Sequence, residues 1–214
     1  MSPDDARALF LPLHGLVGVC ALIGGVGALA TRPGSRPHIW LGRLFTLGMA
    51  GAIVAATPVL LATQNVFLTG MGGFAAYMTV TGWRIARQRG AAGGRLDRGI
   101  STAMVVFGLS FAAWGLRALL RGGGALGIVP VLMGVGSVLF ARSHLRWYAA
   151  PAEQRSPWQA EHLGAMGGGL IAALTAFGAA TGTNLLPVVP EPIWWLGPTL
   201  ILGPLLRRAS SKVT

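Results

Sequence analysis

The chain alternates between long apolar runs and short polar segments, and the length of these runs predicts membrane-spanning helices. A helix needs about 20 mostly apolar residues to cross a bilayer. Six runs have this length, at positions 12–30, 39–62, 66–87, 100–120, 125–146 and 162–181. We number them as predicted segments one to six. Together with a seventh, shorter run they predict an all-α transmembrane bundle in a single domain that covers residues 1–214.

The seventh segment, at 192–206, would span only about 22 Å at a helical rise of about 1.5 Å per residue. Trp194 and Trp195 stand near its start, and Arg207 and Arg208 follow its end. Because tryptophan and arginine anchor helices at the two membrane surfaces, we interpret this segment as a short spanning helix. A re-entrant segment is the alternative interpretation.

The composition identifies the class of protein but adds little chemistry. Hydrophobic residues make up 53% of the 214 residues and charged residues 11%, whereas an ordinary soluble chain is about 25% charged. The single cysteine, Cys20, excludes a disulfide within the chain. The single lysine, Lys212, lies in the polar tail, so no predicted helix can carry a retinal Schiff base.

The basic residues divide unevenly between the two sides of the predicted bundle, which indicates its orientation. Arg7, Arg117 and Arg121 lie on the side of the N-terminus, and the other 14 of the 17 basic residues lie on the opposite side. Because basic loops remain in the cytoplasm, this split predicts an outside N-terminus and a cytoplasmic C-terminus. The net charge of +11 is spread over loops rather than one face, so we expect the lipid bilayer, and not nucleic acid, as the partner.

Small residues at a spacing of four form a ridge along one face of the sixth segment. The ridge consists of Gly164, Gly168, Ala172 and Ala176, and a second row of Ala165, Gly169 and Ala173 runs beside it. Small residues let helix backbones approach closely inside a membrane, so we predict that the sixth segment lies at the centre of the bundle. Leucine should then be tolerated less well at Gly168 than at Gly51 or Gly134.

Ionisable side chains are almost absent from the middle of the predicted spans, and this limits the chemistry. None of the six acids falls at mid-membrane depth, whereas a proton-coupled transporter normally uses a carboxylate along its path. We find no catalytic constellation and assign no catalytic residue. Arginines near segment ends, such as Arg84, are interpreted as snorkelling to the surface. Tyr77 lies near the centre of the third segment, where its hydroxyl is expected to hydrogen bond to another helix.

Three of the four histidines are predicted to share one depth on the cytoplasmic side. His38 opens the second segment, His144 closes the fifth and His162 opens the sixth, whereas His14 lies toward the outside. Histidines from different helices can hold a haem iron or another metal, and a basic rim that includes Arg43 would suit the haem propionates. We therefore hypothesise a haem b site formed by these three histidines and Arg43, and leave a bare metal ion open. The alternative is that the histidines are polar residues at the membrane surface.

Several short motifs resemble those of a known family. They are PHIWLGR at 37–43, TGWR at 81–84, EH at 161–162 with TAF at 175–177, and WLGPT at 195–199. On these motifs the chain resembles a widespread family of uncharacterised bacterial polytopic membrane proteins, which implies about seven helices and a bacterial membrane location but no reaction. LHG at 13–15 is similar to the opening helix of the two-haem b-type cytochromes. The chain departs from them because His14 stands alone at the outer level, so two bis-histidine haems cannot both be built.

Three functions follow from these observations. The first is a membrane bundle that binds a lipid-soluble ligand or a membrane-protein partner, including a second copy of the chain or a larger assembly. The second is a single-haem or metal-binding protein that transfers electrons. The third is a transporter or channel for a neutral solute that uses the glycine-rich packing around the sixth segment. An absorption spectrum separates the second function from the others, and solute flux in liposomes tests the third.

Overall fold

The computed structural model describes residues 2–91 and 93–212, and every regular element in this part of the chain is helical. Its helices are α1 (Pro3–Ala30), α2 (Arg36–Thr63), α3 (Val66–Gln88), α4 (Arg95–Leu120), α5 (Ala125–Ala149), α6 (Trp158–Phe177), α7 (Thr183–Leu185) and α8 (Glu191–Ser210). A short 3-10 helix at Ala152–Gln154 precedes α6, and a π-helical turn at Gly178–Gly182 follows it. The all-α prediction is confirmed for the described residues.

α1 and α2 begin earlier than the apolar runs because their first turns are polar and capped. α1 begins at Pro3, where the Ser2 hydroxyl accepts the Asp5 amide at 3.1 Å and the Asp5 carboxylate accepts the Ser2 amide in return. α2 begins at Arg36 in a similar way, with Ser35 as its cap. Such caps satisfy amides that no carbonyl of the helix can reach. The apolar runs placed the starts of α1 and α4 at residues 12 and 100, and both positions were too late.

Five helices in the described part of the chain are long and apolar enough to cross a membrane. They are Pro3–Ala30, Arg36–Thr63, Arg95–Leu120, Gly127–Ala149 and Trp158–Gly182. These five correspond to predicted segments one, two, four, five and six. The third and seventh segments form the helices α3 and α8, which are not in this group of five.

The distribution of side chains suits a protein whose surface faces hydrocarbon. Large apolar side chains lie on the outside, with Leu47 71% exposed and Leu61 74% exposed. Buried positions are instead rich in small residues, such as Ala21, Gly24 and Gly48 of the α1–α2 hairpin. Between helices in lipid, close packing of backbones replaces the hydrophobic effect as the source of association.

Two tight helical hairpins flank a central pair of helices. α1 packs along α2, α4 packs along α5, and α3 packs against α6. In the first hairpin, a Cβ atom added to Gly24 would lie 2.5 Å from the backbone nitrogen of Phe45. In the second hairpin, a Cβ atom added to Gly134 would lie 2.5 Å from the carbonyl oxygen of Gly108. Glycine at these crossings allows the two backbones of each hairpin to touch.

Only part of the predicted ridge of α6 packs against another helix. A Cβ on Gly164 would meet no atom within 4 Å, a Cβ on Gly168 would meet the flexible end of a methionine side chain, and Ala176 is exposed. Ala172, the fourth member, is half-buried. The second row carries the interface, because Gly169 is buried against a threonine of α3 and a phenylalanine of α2. α6 also packs against α8 and α1, while α3 packs against α2, α4 and α5, so the two helices share the central position.

Candidate functional site

His38 and His162 come together from two different helices at one end of the bundle. Their ring centroids lie 6.5 Å apart, with an interplanar angle of 70°. His38 stands in the first turn of α2, where its backbone N–H donates to the hydroxyl of the capping Ser35 at 3.3 Å. His162 stands near the start of α6 and is half-buried. We call the end of the bundle that carries His38 and His162 the basic end.

Each of the two imidazoles is held by a hydrogen bond to a backbone carbonyl of a neighbouring helix. His38 Nδ1 lies 3.0 Å from the carbonyl oxygen of Ala28 in α1, and His162 Nδ1 lies 2.9 Å from that of Gly82 in α3. A carbonyl oxygen can only accept, so Nδ1 must carry the proton in both rings. In the neutral rings Nε2 is therefore left with a free lone pair. Metal-binding histidines have this arrangement, because the carbonyl fixes the tautomer and strengthens the ligand.

The distance between the two rings matches that of two imidazoles on a single metal atom. Two metal–nitrogen bonds of about 2.0 Å and two ring radii of about 1.1 Å would separate opposed centroids by about 6.2 Å. The observed separation is 6.5 Å. A steep interplanar angle is compatible with this arrangement, since each ring can turn about its own metal–nitrogen bond. The separation of the two ring centroids is therefore compatible with two imidazoles that bind one metal atom.

The site offers two ligands, and this limits which group it could hold. In the described residues no group of three or more histidine, cysteine, aspartate or glutamate side chains is arranged to bind a metal ion. A structural zinc ion is bound by four such ligands in a tetrahedron. Haem iron brings four nitrogens with its macrocycle and takes only the axial ligands from the protein. Two histidines thus suit haem and not an isolated ion.

The structure puts His144, the third histidine of the predicted site, on another side of α3. Its Nδ1 shares a hydrogen bond of 2.7 Å with the Tyr77 hydroxyl, which also lies 3.2 Å from the Ser101 hydroxyl. Tyr77 and Gly82 are five residues apart on α3, so at about 100° per residue they point about 140° apart. His144 and His162 therefore contact different faces of α3 and do not form a common site. The expected interhelical partner of the Tyr77 hydroxyl is found in His144.

His14 contributes to the other end of the α1–α2 hairpin. Its Nδ1 lies 2.9 Å from the carbonyl oxygen of Ala52. Ala52 follows His38 by 14 positions in α2, which is about 21 Å along a helix axis. His14 is thus far removed in depth from the pair formed by His38 and His162.

Arg43, the predicted contact for propionates, faces away from the histidine pair. It lies five residues after His38 in α2, about 140° around the helix axis. The side chain is exposed, and its guanidinium lies 5.3 Å from the centroid of the Trp40 ring. Two exposed arginines precede the site: Arg32 in the segment that joins α1 to α2, and Arg36 as the first residue of α2.

A buried ion pair between Arg84 and Asp97 lies at the same end of the bundle and was not predicted. Arg84 donates from Nε to Asp97 Oδ1 at 2.5 Å and from a terminal nitrogen to Oδ2 at 3.2 Å. The Gln88 amide and the Gly94 backbone N–H both donate to Oδ2 at 2.8 Å. The Asp97 side chain is only 1% exposed, so Arg84 does not simply snorkel to the surface. One sequence signal was available, since Asp97 is the only acid in the segment 88–99 between two arginine-bearing helices.

These features define a helical bundle with five helices long and apolar enough to cross a membrane and a pair of carbonyl-oriented histidines near one end. No protein-family model, curated protein or solved structure matches this chain. Its function has to be inferred from the geometry of its own residues.

Proposed function

We propose that this chain is a multi-pass membrane protein that binds one haem b between His38 and His162 and transfers electrons through it. The observation that carries the proposal is the convergence of two imidazoles, 6.5 Å apart, with both Nδ1 atoms committed to backbone carbonyls. When bound, haem supplies a one-electron couple that no side chain of this chain can supply at moderate potential. His38 and His162 would bind the iron through their Nε2 atoms, and the two imidazoles would set its reduction potential.

The surroundings of the pair support haem as the ligand. The Trp158 ring lies 6.3 Å from the His162 ring and helps to shield it from water. A dry, apolar surrounding and axial histidines are the means by which proteins tune haem. The exposed Arg36 and Arg32 precede His38 by two and six positions, so they are suited to carboxylates at the membrane surface. A single haem near one face would exchange electrons with a partner on that face.

The haem proposal is tested by absorption spectroscopy of single variants. Purified protein from a host that makes haem is expected to show a Soret band with one haem per chain. His38→Ala and His162→Ala should each abolish or strongly reduce it, because one axial ligand is lost. His14→Ala and His144→Ala serve as controls and should retain the band. His162→Met should keep a six-coordinate haem and raise its reduction potential, since methionine ligation favours the reduced iron.

Two results would contradict the haem proposal. One is a colourless protein from a haem-competent host. The other is equal loss of the band in the variants of His14 and of His38, which would mean that any histidine variant unfolds the chain.

We further propose that α3 and α8 also cross the membrane, which gives seven spans with the N-terminus outside in a bacterial inner membrane. Support comes from the 3-to-14 division of basic residues and from the resemblance to a polytopic family. The packing of α3 against helices of both hairpins and against α6 supports a position within the bilayer beside them.

Reporter fusions test this topology. A reporter that is active only in the cytoplasm should be active after Thr214 and within the segment 88–99, and a periplasmic reporter should be silent at both positions. If α8 were re-entrant, the fusion after Thr214 would report the periplasm, while the fusion within 88–99 would still report the cytoplasm. If both positions switched, the orientation would be reversed.

A second candidate function, binding of a lipid-soluble ligand, is favoured by a hollow at the opposite end of the bundle. The hollow has a volume of about 430 Å³ and opens between α2, α3 and α4, which is within the usual range for ligand pockets. Phe107, Phe111 and Trp114 line it as a row of nearly parallel rings, with interplanar angles of 21° and 4°. Organic extraction of the purified protein followed by mass spectrometry would reveal such a ligand.

A further inference from the structure

Two exposed tryptophans at the basic end each carry a stacked arginine. The Arg43 guanidinium lies 5.3 Å from the Trp40 ring centroid, and the Arg87 guanidinium lies 5.1 Å from that of Trp83. The Trp40 side chain is 68% exposed and that of Trp83 is 40% exposed. Trp40 follows His38 by two positions, and Trp83 follows Gly82 directly, so both pairs lie close to the depth of the histidine site.

Stacking on a ring leaves the hydrogen-bonding edge of a guanidinium free. A cation–π contact with a ring uses the charge of the guanidinium and does not require its five N–H donors. Neither Arg43 nor Arg87 forms an ion pair with an acid in the part of the chain that the structure describes. Both exposed guanidinium groups therefore lie beside a tryptophan ring and are available to an external acceptor.

A third arginine beside a tryptophan, Arg155, differs because its N–H groups bind other parts of the same chain. The Arg155 guanidinium lies 5.8 Å from the Trp147 ring centroid. Its N–H groups donate to the carbonyl oxygens of Ala150 at 2.9 Å and Gly90 at 3.0 Å. Arg155 thus ties two loops together, which the outward-facing Arg43 and Arg87 do not do.

We propose that the Trp40–Arg43 and Trp83–Arg87 pairs bind the phosphates of anionic phospholipid headgroups, of the phosphatidylglycerol or cardiolipin type. The match is one of charge and geometry, since arginine binds phosphate with two parallel N–H donors. Two acids at the basic end have partners within the chain, because Asp97 accepts from Arg84 and Glu161 accepts from Ser156.

The tryptophans favour a lipid over a soluble phosphate. Indole rings concentrate at the headgroup level of a bilayer, where the ring contacts hydrocarbon and the edge contacts water. An apolar ring that is 68% exposed, as in Trp40, is best covered by an acyl chain next to the headgroup. The arginine beside the ring then lies at the depth of the phosphate. One Trp–Arg pair can therefore contact both the acyl chain and the phosphate of one lipid.

The test compares the association of two spin-labelled lipids with the protein in phosphatidylcholine vesicles. Spin-labelled phosphatidylglycerol should show a larger motionally restricted fraction than spin-labelled phosphatidylcholine. The double variant Arg43→Gln/Arg87→Gln should reduce this preference by about fivefold for each arginine. The matched control, Arg117→Gln/Arg121→Gln, removes the same charge at the opposite end and should keep the preference.

The variants also distinguish a specific site from a general effect of charge. Trp40→Leu with Trp83→Leu should weaken the preference while leaving the net charge unchanged. Circular dichroism of each variant establishes that it is folded. If the arginine double variant keeps the full preference, or if the control loses as much as the double variant, the two pairs are not the binding site. Competition by dissolved glycerol phosphate at millimolar concentration would likewise overturn the assignment to a lipid.

Discussion

Replacing Asp97 by alanine is expected to lower the free energy of unfolding by about 3–5 kcal/mol. The Asp97 carboxylate accepts from Arg84, from the Gln88 amide and from the backbone of Gly94, and its side chain is 1% exposed. Its removal leaves several donors at the α3–α4 junction without their acceptor, and Arg84 then carries an unpaired and partly buried charge. This single residue therefore joins two helices and the loop between them.

The measurement is unfolding of the detergent-solubilised protein by added SDS, followed by circular dichroism. Asp4→Ala is the matched control, since its ion pair with Arg7 is exposed and should contribute about 0–1 kcal/mol. The double variant Asp97→Ala/Arg84→Leu should recover part of the loss, because it removes the unpaired cation. A loss no larger than that of Asp4→Ala would mean that the buried pair is not a stabilising element.

Replacing Gly134 by alanine is expected to destabilise the α4–α5 hairpin by about 1–3 kcal/mol or more. The new Cβ would lie 2.5 Å from the carbonyl oxygen of Gly108 and 2.6 Å from the backbone nitrogen of Ala112. Both are backbone atoms of α4, so relief requires the two helices to separate along their length. This expectation reverses the one drawn from the sequence, which predicted that substitution would be tolerated less well at Gly168 than at Gly134.

The stability of this variant is measured by the same SDS titration. Alanine variants of two other glycines serve as comparisons. Gly136 lies two positions away in α5, and a Cβ there would meet no atom within 4 Å, so Gly136→Ala should be nearly neutral. Gly168→Ala should fall between the two, because the atom it meets is the flexible end of the Met78 side chain. If Gly136→Ala proves as harmful as Gly134→Ala, helix propensity or assembly with another chain, and not the hairpin contact, dominates the effect.

The sequence alone predicted the helical class and most of the long helices. Run length and hydropathy suffice for this because a bilayer requires about 20 apolar residues in a row and satisfied backbone groups. The helix starts were less accurate, since a cap such as Ser2 or Ser35 adds a polar turn that an apolar run does not include. The two long helices outside the group of five are α3 and α8, and for these two helices length and hydropathy do not establish a membrane span.

The candidate site was predicted in part. Histidine positions and helix direction brought His38, His144 and His162 to one depth, and two of these three do meet. Depth comes from counting along the chain, but direction around a helix axis depends on which neighbours each helix has. The rotation of α3 decides that His162 contacts Gly82 on one face while His144 contacts Tyr77 on another.

The same limit applies to the pairings that only the tertiary structure decided. The sequence contained Arg84 and Asp97 and a row of glycines in α5, yet nothing in it specified that the carboxylate would be buried or that Gly134 would cross Gly108. In a membrane, many faces of an apolar helix are equally soluble in lipid, so hydrophobicity does not orient them. The orientation is decided by close backbone contact and by a few polar groups that must find partners, and both depend on the positions of all the helices together.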